Sequence, residues 1–103
     1  MSDITFTLEE TGSKGRYVAH IAGQDDVGEM TFSRLSPTRI IVDHTGVPES
    51  LKGQGVGSAL ARHIVAEARE NGFTIVPLCP FLKAQADRHP EWSDVIEGLK
   101  AKA

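Results

Sequence analysis

Cysteine is almost missing from this chain. Cys79 is the only one in 103 residues, which excludes an intramolecular disulfide and fits a reducing compartment such as the cytoplasm. Long apolar runs are missing too: none approaches the roughly 20 residues that cross a bilayer. The amino end, Met1-Ser2-Asp3-Ile4, has neither a basic region nor a continuous apolar one, so no signal peptide is expected. No cationic cluster stands out either. Lysines and arginines are scattered and the net charge is −3, which argues against nucleic-acid binding, because counterion release needs a grouped basic face. Histidines fall at no metal-ligand spacing, so no metal site is expected. There is no internal repeat and no linker. A chain of this length reads as one domain, 1–103, burying only about two-thirds of its unfolded surface.

What is present is ordered by periodicity. Ile4, Phe6 and Leu8 alternate with Thr5 and Thr7, the pattern of a half-buried strand. Turn residues follow at Thr11-Gly12-Ser13-Lys14-Gly15, and a second alternation at Tyr17, Ala19 and Ile21. Gly23 to Asp26 reads as another turn, with Asp25 and Asp26 as turn residues; Met30 and Phe32 mark a third strand. The nearly continuous β-branched run in Arg39 to Thr45 suggests a central strand buried on both faces. Four strands joined by short turns predict an antiparallel meander. From Gly57 to Asn71 the spacing of Leu60, Ile64 and Ala68 predicts an amphipathic helix with Arg62, His63 and Glu67 on its polar side. Gly72 suits the left-handed position past its end. Phe73 to Leu78 reads as a fifth strand, parallel to the fourth because a helix separates them. Pro80 opens a helix reaching Arg88, and Asp94 is expected to cap a last short helix, Val95 to Lys100. Trp92 is expected to cover the core beneath it. The fold class is α+β.

Three glycines at alternate positions, Gly53, Gly55 and Gly57, lie between a buried strand and the helix start. Without a Cβ the backbone can approach a ligand closely, and successive N–H groups can converge on one anion. The first N–H groups of a helix lack internal partners and carry the positive end of its dipole. A phosphate is the natural occupant. A Walker loop would need a lysine before Ser58, where Gly57 stands, and the dinucleotide fingerprint would need glycine at Ser58 and an acidic residue about 20 positions on, where Ile75 to Leu78 is apolar. Both nucleotide patterns fail.

Lys52-Gly53-Gln54-Gly55-Val56-Gly57 resembles the acyl-coenzyme A loop of the GNAT superfamily of N-acetyltransferases, Arg/Gln-x-x-Gly-x-Gly/Ala, with lysine in first place. Lysine keeps the charge but not arginine's planar fork. The motifs Asp43-His44-Thr45, Val47-Pro48, Gly53 to Ser58, Val76 to Phe81 and His89-Pro90-Glu91-Trp92 are similar to a subfamily of very short GNAT-like proteins, about this long, which lack the helices that larger members insert after the first strand. The resemblance implies a GNAT-like fold, acetyl-CoA as cosubstrate without a metal, and transfer of acetyl to a small-molecule or peptide amine. It also implies that Lys52, Gly53, Gln54, Gly55, Val56, Gly57 and Ser58 hold the pyrophosphate and that the Val47 backbone pairs with the pantetheine arm. A homodimer could supply the wall those inserted helices form elsewhere. The alternative is an acyl-coenzyme A binding or sensing module that works through a partner protein.

Acetyl transfer needs an unprotonated amine, donors to the carbonyl oxygen and a place for the departing thiolate. By the resemblance the reacting carbonyl lies near His44 to Thr45 and Leu78 to Cys79. His44 is then a candidate general base; otherwise it is a hydrogen-bonded histidine at a strand end. Cys79, just before a helix start, could attack the thioester, donate to the departing sulfur, or simply fill space as a small hydrophobe. The tyrosine that larger members use as acid for the thiolate has no counterpart: the helix after the fifth strand holds Phe81, and Tyr17 lies in another strand. No bulky residue is expected to guard the amino end of the first helix.

Overall fold

The alternations at the amino end pair as their periodicity predicts. A computed structural model describes residues 3–99, in which β1 (Ile4–Thr11), β2 (Lys14–Ile21), β3 (Val27–Ser36) and β4 (Arg39–Gly46) form an antiparallel meander. Helix α1 (Val56–Asn71) leads to β5 (Thr74–Pro77), which pairs parallel to β4, so the sheet order is β1-β2-β3-β4-β5. Helix α2 (Pro80–Asp87) follows, with short 3-10 turns at Glu49–Leu51 and Pro90–Asp94.

One face of the sheet carries the core. Register aligns Ile4 with Ile21, Phe6 with Ala19, Tyr17 with Met30, Phe32 with Val42 and Ile40 with Ile75. These side chains form one cluster with Leu60, Ile64 and Val65 of α1 and Leu82 and Ala86 of α2. The opposite rows, Thr7–Val18–Glu29 and Arg16–Thr31–His44, have no helix over them among the described residues. The expectation that β4 is buried on both faces is therefore corrected. Ile40 and Val42 are fully buried, but Ile41 is half-buried and Asp43 and His44 are exposed, because both helices pack on one side. Among the described residues no helix is long and apolar enough to cross a membrane.

Helix α1 closes as predicted, on Gly72 with φ 73°, whose N–H reaches the Ala68 carbonyl. The last predicted helix does not form over its described part. Gly98 adopts φ 79°, and the backbone around Ile96 instead extends the sheet: Ile75 N–H donates to the Val95 carbonyl at 2.7 Å and Glu97 N–H to the Ile75 carbonyl at 2.8 Å. Asp94 caps nothing; its carboxylate accepts from the Arg69 guanidinium at 2.9 Å, tying the end of α1 to the chain after α2. Lys100 lies outside the described residues. Trp92 is buried, in the 3-10 turn, with its ring stacked on His89 at 4.2 Å.

His63 departs from the polar side assigned to it. Its ring stacks on Phe6 of the edge strand at 4.1 Å and meets the edge of Tyr17 at 5.3 Å. Burial lowers its pKa below 6.5, against a smaller opposing pull from Glu67. An unfolded chain then binds the His63 proton more readily than the folded one, so stability falls as pH drops through and below about 6.5. His63→Phe is expected to keep the stacking and flatten that acid limb, measured by urea midpoints between pH 7.5 and 5.5. An unchanged limb would show that His63 is not its source.

Candidate functional site

The fifth strand is short, and its end opens the sheet. The last β4–β5 pair is Val42 with Pro77, and the Val42 carbonyl accepts from both the Leu78 and the Cys79 N–H, at 3.0 and 2.9 Å. Beyond that point β4 runs on to Gly46 paired only with β3. A bulge sits at the same place. Phe32 pairs with Val42 but Thr31 with His44, leaving Asp43 as the extra residue, and such an insertion bends the strand and resets which face its side chains take. Asp43 and His44 consequently both lie on the open face, where Thr31 donates to the Asp43 carboxylate. Thr45, opposite core-facing Met30, returns to the helix side.

The chain next makes the 3-10 turn Glu49–Leu51, anchored by fully buried Leu51 and by a hydrogen bond from the Ser50 hydroxyl to the Asp26 carboxylate. Asp26 is thus more than a turn residue, since it fixes the approach to the glycine loop. Gly53 and Gly55 take φ 83° and 75°, values that side chains with a Cβ rarely adopt, and a Cβ on either would meet nothing within 4 Å. Gly57 is there for a different reason. A Cβ on it would lie 2.6 Å from Cζ of Phe81, so the ring of α2 rests directly on the first turn of α1. This corrects the expectation of an unguarded helix end: Phe81, partly exposed, walls it on one side.

Helix α1 starts from Gly55 as N-cap, with no side-chain cap and no acidic residue in its first turn. The first intrahelical bond is from Ala59 N–H to the Gly55 carbonyl at 2.9 Å, so the amides of Val56, Gly57 and Ser58 precede it and lack helical partners. In front of this turn is a cleft of ≈ 410 Å³ lined by Thr45, Val47, Leu51, Lys52, Gly53, Gly55, Val56, Gly57, Ser58 and Phe81. Lys52 is exposed and pairs with Glu49 at 3.0 Å, a surface contact of the kind that is easily exchanged. Gln54 does not line the cleft; its side-chain amide donates to the Ser50 carbonyl at 3.2 Å. The Ser58 hydroxyl faces the Gln85 amide oxygen at 3.4 Å.

The two residues singled out for chemistry do not come together. Cys79 is 2% exposed, does not line the cleft, and sits as N-cap of α2 with Sγ 3.2 Å from the Thr45 hydroxyl. His44 is on the opposite face, where a Cβ on Gly46 would lie 3.1 Å from its Nε2; among the described residues its ring has no hydrogen-bond partner. That same face holds Arg16, bridging Glu9 at 2.9 Å and Glu29 at 2.8 Å. Two depressions of ≈ 410 and ≈ 380 Å³ flank it, the first reaching Asp43 and the second Gly46 and Val47. Tyr17 is no substitute acid: it is buried against α1, and burial together with Glu67 pushes it up to about 12. Among the described residues no three histidine, cysteine or acidic side chains gather as a metal site. Thr45, by contrast, lines the cleft; the sequence gives no sign of this, because its side in the strand depends on a bulge that leaves no mark in the alternation.

An antiparallel meander, a glycine loop at a helix start, and a fifth strand parting from the fourth define the GNAT class of fold. Residues 16–95 match the family model described as GCN5-related N-acetyl-transferase, and the chain belongs to that family. It is similar to a GCN5-like candidate N-acetyltransferase from Staphylococcus aureus, solved by NMR, with 31% identity over 91% of this chain and 90% of that one and a TM-score of 0.66. No curated protein matches the chain.

Proposed function

We propose that this acetyltransferase-family chain moves acetyl from acetyl-CoA to an amine, with the pyrophosphate at the amides of Gly53 to Ser58, Lys52 beside it, and the pantetheine arm along Val47. The observation that carries the reading is the open first turn of α1 in the cleft between Thr45 and Ser58. Unpartnered amides and the helix dipole favour an anion there, and no acidic side chain in the first turn opposes one. The parting of β4 from β5 gives the arm a passage toward the bulge. The acceptor, a small-molecule or peptide amine, approaches from the open face, where His44 can take its proton directly or through water.

One observation favours a second reading. Because Cys79 is buried and His44 lies on the other face, a binding or sensing module without turnover would need the cleft alone. Thermal shift and product formation separate the two. Acetyl-CoA at about 100 times its Kd should stabilise the protein by about 2.7 kcal/mol, and labelled acetyl should pass to members of a mixed amine library. A shift without labelled product supports the module. No shift at millimolar acetyl-CoA rejects the ligand itself.

A further inference from the structure

We infer that the Thr45 hydroxyl, and not the Cys79 thiol, meets the thioester sulfur, with Cys79 acting as the positioning residue behind it; this rests on the acetyl-transfer reading above. Thr45 lines the cleft and Cys79 does not. The two side chains touch at 3.2 Å, and Cys79 is 2% exposed. Any group bound in the cleft therefore meets Thr45 before Cys79. The bulge at Asp43 turns Thr45 to this side, and the Val42 carbonyl, accepting from both Leu78 and Cys79 N–H, holds the cysteine behind it.

A hydroxyl has one proton and two lone pairs, and a thiol is a weak donor and weak acceptor. When the S–H of Cys79 points at Thr45 Oγ1, the threonine proton is free to point into the cleft. This supplies the donor that the missing tyrosine leaves open. The amine nitrogen attacks the thioester carbonyl carbon, and the C–S pair collapses onto sulfur. The nitrogen gives its proton to His44 or water, sulfur takes one from the Thr45 hydroxyl, and Thr45 regains one from Cys79. Once the cleft empties, water returns a proton to Cys79 through the Thr45 hydroxyl, and solvent receives the amine's proton. The products are the N-acetyl amine and coenzyme A, with no acyl-enzyme.

The test is single-turnover acetyl transfer by the full chain and its Thr45→Val, Thr45→Ser, Cys79→Ala and Cys79→Ser variants, with melting curves to verify folding. Thr45→Val is expected to slow transfer about 10- to 100-fold, the range for losing a hydrogen bond to a developing charge. Its KM for acetyl-CoA should stay within about twofold, because the contact strengthens only in the transition state. Thr45→Ser should restore most of the rate, which a packing role for the methyl group would not allow. Cys79→Ala should cost less than Thr45→Val, and Cys79→Ser should recover part of that loss. Full turnover in folded Thr45→Val, or an acetylated Cys79 trapped by acid quench and seen in the intact mass, overturns the inference while leaving acetyl transfer standing. A wild-type chain that binds acetyl-CoA but transfers nothing overturns both.

Discussion

Gly55→Val is expected to remove acetyl-CoA binding and to lower stability by separable routes. Gly55 is the N-cap of α1 at φ 75°. A β-branched residue in this left-handed region is a true outlier, with a strain of about 1–3 kcal/mol. A Cβ there meets no atom within 4 Å, so the added side chain is not pressed against the protein and stands in the space beside the cleft it lines. Binding then suffers twice, from occupied space and from first-turn amides that lose their common aim. We expect Kd for acetyl-CoA to rise about 100-fold or more, equivalent to about 2.8 kcal/mol, and the ligand-induced thermal shift to vanish at concentrations that saturate the wild type. Gly55→Asn separates the terms, because asparagine tolerates the left-handed conformation. It should melt close to the wild type yet bind poorly. Gly55→Asn binding as tightly as wild type would show that the ligand does not use this loop.

The glycine loop was legible because its neighbours constrain it: a β-branched strand before, a helical period after, and two nucleotide patterns that fail at Ser58. Its internal division of labour was not. Gly53 and Gly55 serve the backbone, while Gly57 makes room for Phe81, and a contact between two helices has no signature in local spacing. The four-strand meander and α1 followed from alternation and from the spacing of Leu60, Ile64 and Ala68. Exposure departs from the pattern in two places, because a segment's own period does not decide what covers it. His63 is on a polar side by period, yet Phe6 of the edge strand reaches over it. Ile41 belongs to an apolar run, yet it stays outside the core cluster and is only half-buried. The predicted helix at Val95 gave way to backbone pairing with Ile75, where an open strand edge offered more hydrogen bonds than a short helix ending at Gly98 could keep. Separating His44 from Cys79 required the one-residue bulge at Asp43, which flips every side chain beyond it.

Gly28 joins the core to the site, and the largest loss of stability from a single added carbon is expected there. Gly28 lies in β3, pairs with Ala19 of β2 and is buried, and a Cβ on it would lie 2.5 Å from Cγ1 of Val56, 3.5 Å from Leu60 and 3.6 Å from the Gly46 carbonyl. Glycine within a strand commonly marks such a close approach. Here it lets the first residue of α1 press against the sheet. Val56 is 1% exposed and stiff about χ1, so it can escape a new methyl group only if the start of the helix moves. Gly28→Ala should therefore cost about 1–3 kcal/mol, the usual range for overpacking, out of a total of about 5–15 for a domain of this kind. It should also weaken acetyl-CoA binding, because the displaced turn carries the amides of Val56 to Ser58. Val56→Ala alone opens a small cavity and costs about 1–3 kcal/mol by lost burial. In the double variant the new methyl occupies part of the space the valine vacates, so the combined cost should fall below the sum by about 1 kcal/mol or more, with binding partly restored. Urea unfolding of the four proteins measures the coupling and a thermal-shift titration measures the binding. Strict additivity would mean that the helix start yields without strain, and that Gly28 does not hold the loop in place.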